Sequence, residues 1–112
     1  MEVVDKLVKE IEKRVIDGRG FVYEKAEKVE EVLESFGIKT GSTSRLYCEF
    51  RSGDIVYNKR PAEVRIYSGN TCKKSRWTGK YVYVYYYIAI PLSLTNEQVE
   101  EAIKILKEKM PL

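Results

Sequence analysis

Tyr81, Tyr83, Tyr85 and Tyr87 recur at every second position of the chain. In an extended strand successive side chains point to opposite faces, so this spacing puts four phenol rings on one surface. A flat π-face is what an unpaired nucleobase stacks on, at about 1–3 kcal/mol per base. The residues expected beside the ladder suit the same chemistry. Arg45, Tyr47, Arg51, Arg65 and Tyr67 fall on strand positions facing away from the aliphatic ones, and arginine both stacks on bases and grips phosphate with its planar fork. The run Thr71-Cys72-Lys73-Lys74-Ser75-Arg76-Trp77-Thr78-Gly79-Lys80 adds Lys73, Lys74, Arg76 and Lys80 to the only tryptophan, Trp77. A ladder that needs unstacked bases favours single strands over duplex and reads little sequence.

Tyrosine is also a good strand former, and cross-strand aromatic pairs stabilise a sheet by about 0.2–1 kcal/mol without any ligand. The ladder is therefore also readable as a packing face under a helix or as a subunit interface, where aromatics and Arg are enriched.

The charge is sorted along the chain. Residues 41–90 hold nine basic side chains against three acidic ones, while residues 1–40 hold eight against ten and residues 91–112 three against four. The same middle segment carries eight of the nine tyrosines, so a net charge of only +3 conceals a basic, aromatic half. Such asymmetry points to an anionic partner. The acidic helical positions Glu24, Glu27, Glu30, Glu31 and Glu34 read as a solvated exterior.

Several chemistries find no support. The chain has no histidine, the side chain best suited to proton transfer near neutral pH and the commonest nitrogen metal ligand. Glu49, Asp54 and Glu63 are scattered rather than clustered as a metal-dependent nuclease requires. Gly69-Asn70-Thr71-Cys72-Lys73-Lys74-Ser75 lacks the second glycine of a phosphate-binding loop, and strand rather than helix follows it. We expect no cofactor, no metal and no catalytic residues. A metal-independent ribonuclease built on Arg, Lys and Tyr stays open as an alternative. Cys48 and Cys72 cannot form a zinc site alone and read as thiols of a cytoplasmic protein, with a single bridge as the other option. No apolar run approaches the roughly 20 residues that span a bilayer, and the charged N-terminus does not read as a signal peptide.

One hundred and twelve residues make one domain, 1–112. Val4, Leu7, Val8, Ile11 and Val15 trace a helical stripe that Gly18-Arg19-Gly20 stops. Val22, Ala26, Val29, Leu33 and Phe36 trace a second, ending at Gly37. Thr95 and Gln98 form a capping box ahead of Val99, Ala102, Ile103, Leu106 and Met110. Between the second and third helices the period drops to two. A strand is expected over Arg45–Arg51, with Leu46, Cys48 and Phe50 toward the core, then one over Ile55–Asn58, one around Val64 and Ile66, and a long one over Lys80–Ile90. In the last, Val82, Val84, Tyr86, Ile88 and Ile90 are expected on the core face. The expected fold is α+β in the order α-α-β-β-β-β-α: a meandering four-stranded antiparallel sheet with helices packed on one face.

This arrangement is similar to the ThermoDBP-like single-stranded DNA-binding proteins of hyperthermophilic archaea: helices ahead of a small antiparallel sheet, a basic and aromatic sheet surface, and a closing C-terminal helix. The residues that carry it are Tyr81, Tyr83, Tyr85 and Tyr87 with Trp77, Arg65 and the Lys73–Lys80 run. The resemblance implies sequence-independent binding of single strands and a role in protecting exposed DNA. Founding members have a long C-terminal leucine zipper, for which the last helix here is too short. The expected partner is single-stranded DNA, with RNA as its alternative, no membrane, and self-assembly into a homo-oligomer as the second partner class.

Overall fold

A computed structural model describes residues 3–18, 20–45, 48–59, 62–69 and 83–112. Its three helices follow the apolar stripes. Helix α1 (Asp5–Val15) buries Leu7, Val8, Ile11 and Val15, and α3 (Asn96–Lys109) buries Val99, Ala102 and Leu106. The capping box ahead of α3 is formed: the Gln98 N–H donates to Thr95 Oγ1 at 3.2 Å, and the Thr95 N–H to Gln98 Oε1 at 2.9 Å. Buried Arg14 ties the two helices together. Its Nε donates to the Met110 carbonyl at 2.7 Å and its Nη1 to the Glu10 carbonyl at 2.8 Å.

The second stripe is split. Helix α2 runs over Tyr23–Val32, and Leu33 and Phe36 reach the core through a separate 3-10 turn, Glu34–Phe36. Where Gly18-Arg19-Gly20 was expected only to stop the first helix, the chain turns back on itself as a small hairpin, β1 (Ile16–Asp17) against β2 (Gly20–Phe21).

The main sheet has four antiparallel strands: β3 (Lys39–Arg45), β4 (Ile55–Lys59), β5 (Ala62–Tyr67) and β6 (Tyr83–Pro91). The order α-α-β-β-β-β-α is the expected one, and the class is α+β. The sheet order is β3-β6-β5-β4, so only β4, β5 and β6 form a meander. The first strand lies instead along the outer side of β6, the longest strand, and supplies that side with a hydrogen-bonding partner. Its position also differs from the expected Arg45–Arg51: the strand is Lys39–Arg45, and Cys48–Arg51 run outside any strand.

Val64, Ile66, Ile88 and Ile90 join Val4, Leu7, Ile11, Ala26, Val29, Leu33, Val99 and Leu106 in a single hydrophobic cluster. Helix α2 lies against β6 and β3. The helices thus cover one face of the sheet, and the odd-numbered residues of β6 point to the other. Coverage stops short of the start of β6. Val84 and Tyr86 share the even-numbered face but are 45% and 42% exposed, contrary to their expected core position. Opposite them on β3 stand Ser44 and Ser42, so this end of the β3–β6 ribbon projects beyond the helical layer. Tyr86 is partly shielded by Tyr23 of α2, with ring centroids 4.7 Å apart. Among the described residues no helix is long and apolar enough to cross a membrane.

Candidate nucleic-acid interface

Strand register assembles the helix-free face. Gly41, Thr43 and Arg45 of β3 pair with Tyr87, Tyr85 and Tyr83 of β6, while Arg65 and Tyr67 of β5 pair with Ala89 and Tyr87 on its other side. Six of the expected site residues are therefore brought onto one surface by three strands: Arg65 and Tyr67 on β5, Tyr83, Tyr85 and Tyr87 on β6, and Arg45 of β3 at its rim. Arg51 is exposed on the segment leading into β4. Tyr47, Lys73, Lys74, Arg76, Trp77, Lys80 and Tyr81 lie outside the described residues.

The face is not one open ladder. Tyr85 is 0% and Tyr67 2% exposed, against the expectation that both stand free. Among the described residues their cover includes Phe50, assigned to the core by its alternation with Arg51 and Glu49. Because Cys48–Arg51 do not run as a strand, parity does not fix where their side chains point, and Phe50 lies over the tyrosines. Its ring stacks on Tyr67 with centroids 4.2 Å apart and planes 8° from parallel, and meets Tyr85 edge-on at 5.2 Å and 83°. The Glu49 N–H donates to the Tyr85 hydroxyl at 3.0 Å. The rings satisfy both preferred aromatic geometries, offset-parallel and edge-to-face.

Among the described tyrosines of this face, Tyr87 and Tyr83 remain half-buried, flanking the covered Tyr85. Tyr87 leans across β3 over Gly41: a Cβ there would lie 2.5 Å from the Tyr87 hydroxyl, so the ring end would have to shift to admit one. The Arg65 guanidinium sits 4.0 Å from the centroid of the Tyr87 ring, a cation–π contact. Its Nη1 and Nη2 reach Tyr67 Oη and Glu63 Oε1, both at a long 3.4 Å. Burial disfavours its charge, but the Tyr67 and Glu63 contacts outweigh that and raise its proton affinity above the ordinary arginine value. Arg45 donates to Glu49 at 2.7 Å and to Thr43 Oγ1 at 2.9 Å. Both arginines thus have a carboxylate beside them, which lessens their pull on phosphate. Two donors on or near this face, Asn58 Nδ2 and Arg65 Nε, are buried without a hydrogen-bond acceptor.

Phe50, Glu49 and Gly41 were missed as site residues. Phe50 lies in the alternating stretch Leu46–Arg51, which reads as a strand, and Gly41 in a polar run with no apolar signal. Cys48 is disulfide-bonded, which corrects its reading as a thiol: two cysteines in a sequence do not report their redox state. Cys72 lies outside the described residues. The acidic side of α2 is more than a solvated exterior at one point, because Glu30 accepts the Thr40 N–H at 2.9 Å and the Thr40 hydroxyl at 2.8 Å, closing the edge of β3. No group of three or more potential metal ligands occurs among the described residues. No family model, curated protein or solved structure matches the chain.

Proposed function

We propose that the chain is a non-enzymatic single-stranded DNA-binding protein that holds its ligand largely without reading sequence. The observation that carries the reading is the pair of half-buried tyrosines, Tyr83 and Tyr87, on a sheet face that the helices leave bare. Strand geometry spaces them about 13 Å apart along β6. The sequence between Tyr67 and Tyr83 also supports it, since it holds Lys73, Lys74, Arg76, Trp77 and Lys80 with no acidic residue. Those lysines supply charge that Arg45 and Arg65, each beside a carboxylate, supply less well. A ThermoDBP-like kinship and a cytoplasmic location belong to the same proposal.

Titration of the single tryptophan's fluorescence with an unstructured oligothymidylate and with duplex DNA, at several salt concentrations, tests it. Stacking is expected to quench Trp77, with the single strand bound more tightly. Phosphate contacts are expected to make log affinity fall with log salt at about −0.7 per contact. No binding at low salt sinks the proposal.

One observation favours a second reading, a protein-assembly module. Val84 and Tyr86 are exposed side by side on the same sheet face at the uncovered end of β6. Light scattering across a concentration series checks it: a dimer that Val84→Ser with Tyr86→Ser dissolves supports this reading, and a monomer at all concentrations removes it.

A further inference from the structure

We infer that the ring of Phe50 occupies a pyrimidine-sized nucleobase subsite, and that an incoming strand fills it by displacing that ring; this rests on the DNA-binding reading above. The floor of the subsite is Tyr67, on which Phe50 lies nearly parallel at 4.2 Å. Its wall is Tyr85, met edge-on at 83°. A base stacked on tyrosine takes the position of Phe50 relative to Tyr67. Both walls are fixed by the sheet: Tyr67 and Tyr85 are buried, and their strands pair directly with one another in β5 and β6. The present occupant of the subsite is a single six-membered ring.

The segment that carries Phe50 is held differently from the sheet beneath it. Residues 48–52 belong to no strand; a disulfide anchors Cys48, and the rest are pinned at separate points, three of them through side chains. The Glu49 N–H donates to Tyr85 Oη at 3.0 Å, the Arg51 N–H to Asp54 Oδ2 at 2.7 Å, and Ser52 Oγ accepts from the Phe21 N–H at 2.9 Å. Beyond them the Gly53 N–H reaches the Tyr67 carbonyl at 3.3 Å. The backbone of Arg51 and Ser52 passes so close to Gly69 (φ +62°) that a Cβ there would collide with it. Phe50 itself is half-buried, so it is already partly in contact with solvent.

Phenylalanine offers a stacking surface and no polar group. Exchanging it for a base replaces one stack by another and adds a hydrogen-bonding edge and a phosphate, with exposed Arg51 the next residue along the chain. In the unbound protein Phe50 shields two buried tyrosines from water, and on binding its displacement is a tax on affinity.

Fluorescence anisotropy with labelled oligothymidylate and oligoadenylate tests the subsite on the wild type, Phe50→Ala and Tyr87→Ala. Amide hydrogen exchange at Glu49 is followed in the wild type as a readout that needs no variant. Phe50→Ala is expected to bind oligothymidylate about 2–10-fold tighter, the range of one aromatic pair, with a smaller gain for oligoadenylate. The Glu49 amide is expected to lose protection when oligothymidylate binds, and Tyr87→Ala to weaken both oligonucleotides. Binding with unchanged Glu49 protection and no gain in Phe50→Ala overturns the subsite while the DNA-binding reading stands. Binding by Phe50→Ala alone supports the subsite in its strongest form. Absence of binding by all three proteins overturns the subsite and the DNA-binding reading together.

Discussion

Tyr83 and Tyr85 are two positions apart on one strand and on one face, yet the structure gives them different work. Truncating Tyr85 to alanine empties a fully buried site against Phe50 and removes the acceptor of the Glu49 N–H. Large-to-small changes at buried aromatics cost about 3–5 kcal/mol. The hydroxyl contributes only about 0.5–1.5 kcal/mol of that kind of loss, because exposed Glu49 can turn its amide to water. At roughly 3–6 °C per kcal/mol for a domain of this size, Tyr85→Ala is expected to lower Tm by about 10–30 °C. Tyr83 is half-buried, and Tyr83→Ala is expected to stay within about 1 kcal/mol of the wild type. Tyr85→Phe separates the two parts of the Tyr85 effect, with an expected loss of about 1 kcal/mol. Differential scanning calorimetry on the three variants, with oligothymidylate affinity on each folded one, is the assay. Equal, small losses at Tyr83 and Tyr85 would refute the reasoning, because they would mean that Tyr85 is not enclosed under Phe50.

Three further outcomes are expected. Gly41→Ala drives its new methyl group into the end of the Tyr87 ring, a mobile group, so Tm is expected to shift by less than about 1 kcal/mol equivalent while oligothymidylate affinity falls; calorimetry and anisotropy on one sample check both. Thr95→Ala breaks the capping box and is expected to cost about 0.5–2 kcal/mol in urea unfolding, with no change in affinity. Glu10 has its pKa held below the ordinary glutamate value, chiefly by the Lys13 hydrogen bond, with Arg14 adding to it and burial opposing. A folded-state pKa below the unfolded one means that the stabilisation is complete above the ordinary glutamate range and is lost as pH falls from there through the lowered folded-state pKa. Glu10→Gln is therefore expected to flatten the loss of stability on acidification below about pH 5, read from urea midpoints at stepped pH.

The three helices were legible because their apolar residues repeat at 3.6-residue spacing and their partners are one another. The class, the element order and the face carried by Tyr83, Tyr85 and Tyr87 followed from period two in β6. Parity, however, tells which face a side chain is on and not whether anything covers it. Val84 and Tyr86 share the face of Ile88 and Ile90 but lie beyond the helices, while Tyr85 lies on the bare face and is buried by a ring from a distant part of the chain. β3 was illegible for another reason. Lys-Thr-Gly-Ser-Thr-Ser-Arg has no apolar alternation, and it forms a strand because the free side of β6 needs a partner and Glu30 closes its outer edge at Thr40. The stretch Leu46–Arg51 does alternate, and Cys48–Arg51 run outside any strand.

On the proposed function, the sheet face that the helices leave bare, and not the helical side, receives the single strand. Titrating isotope-labelled protein with oligothymidylate and following the aromatic and guanidinium NMR signals locates the contact residue by residue. Saturable shifts are expected at Tyr83, Tyr87 and Arg65, with Tyr57 and Tyr86 on the helical side unmoved. Shifts centred on Tyr86, Val84 and Tyr23, with Tyr83 and Tyr87 silent, would contradict that reading.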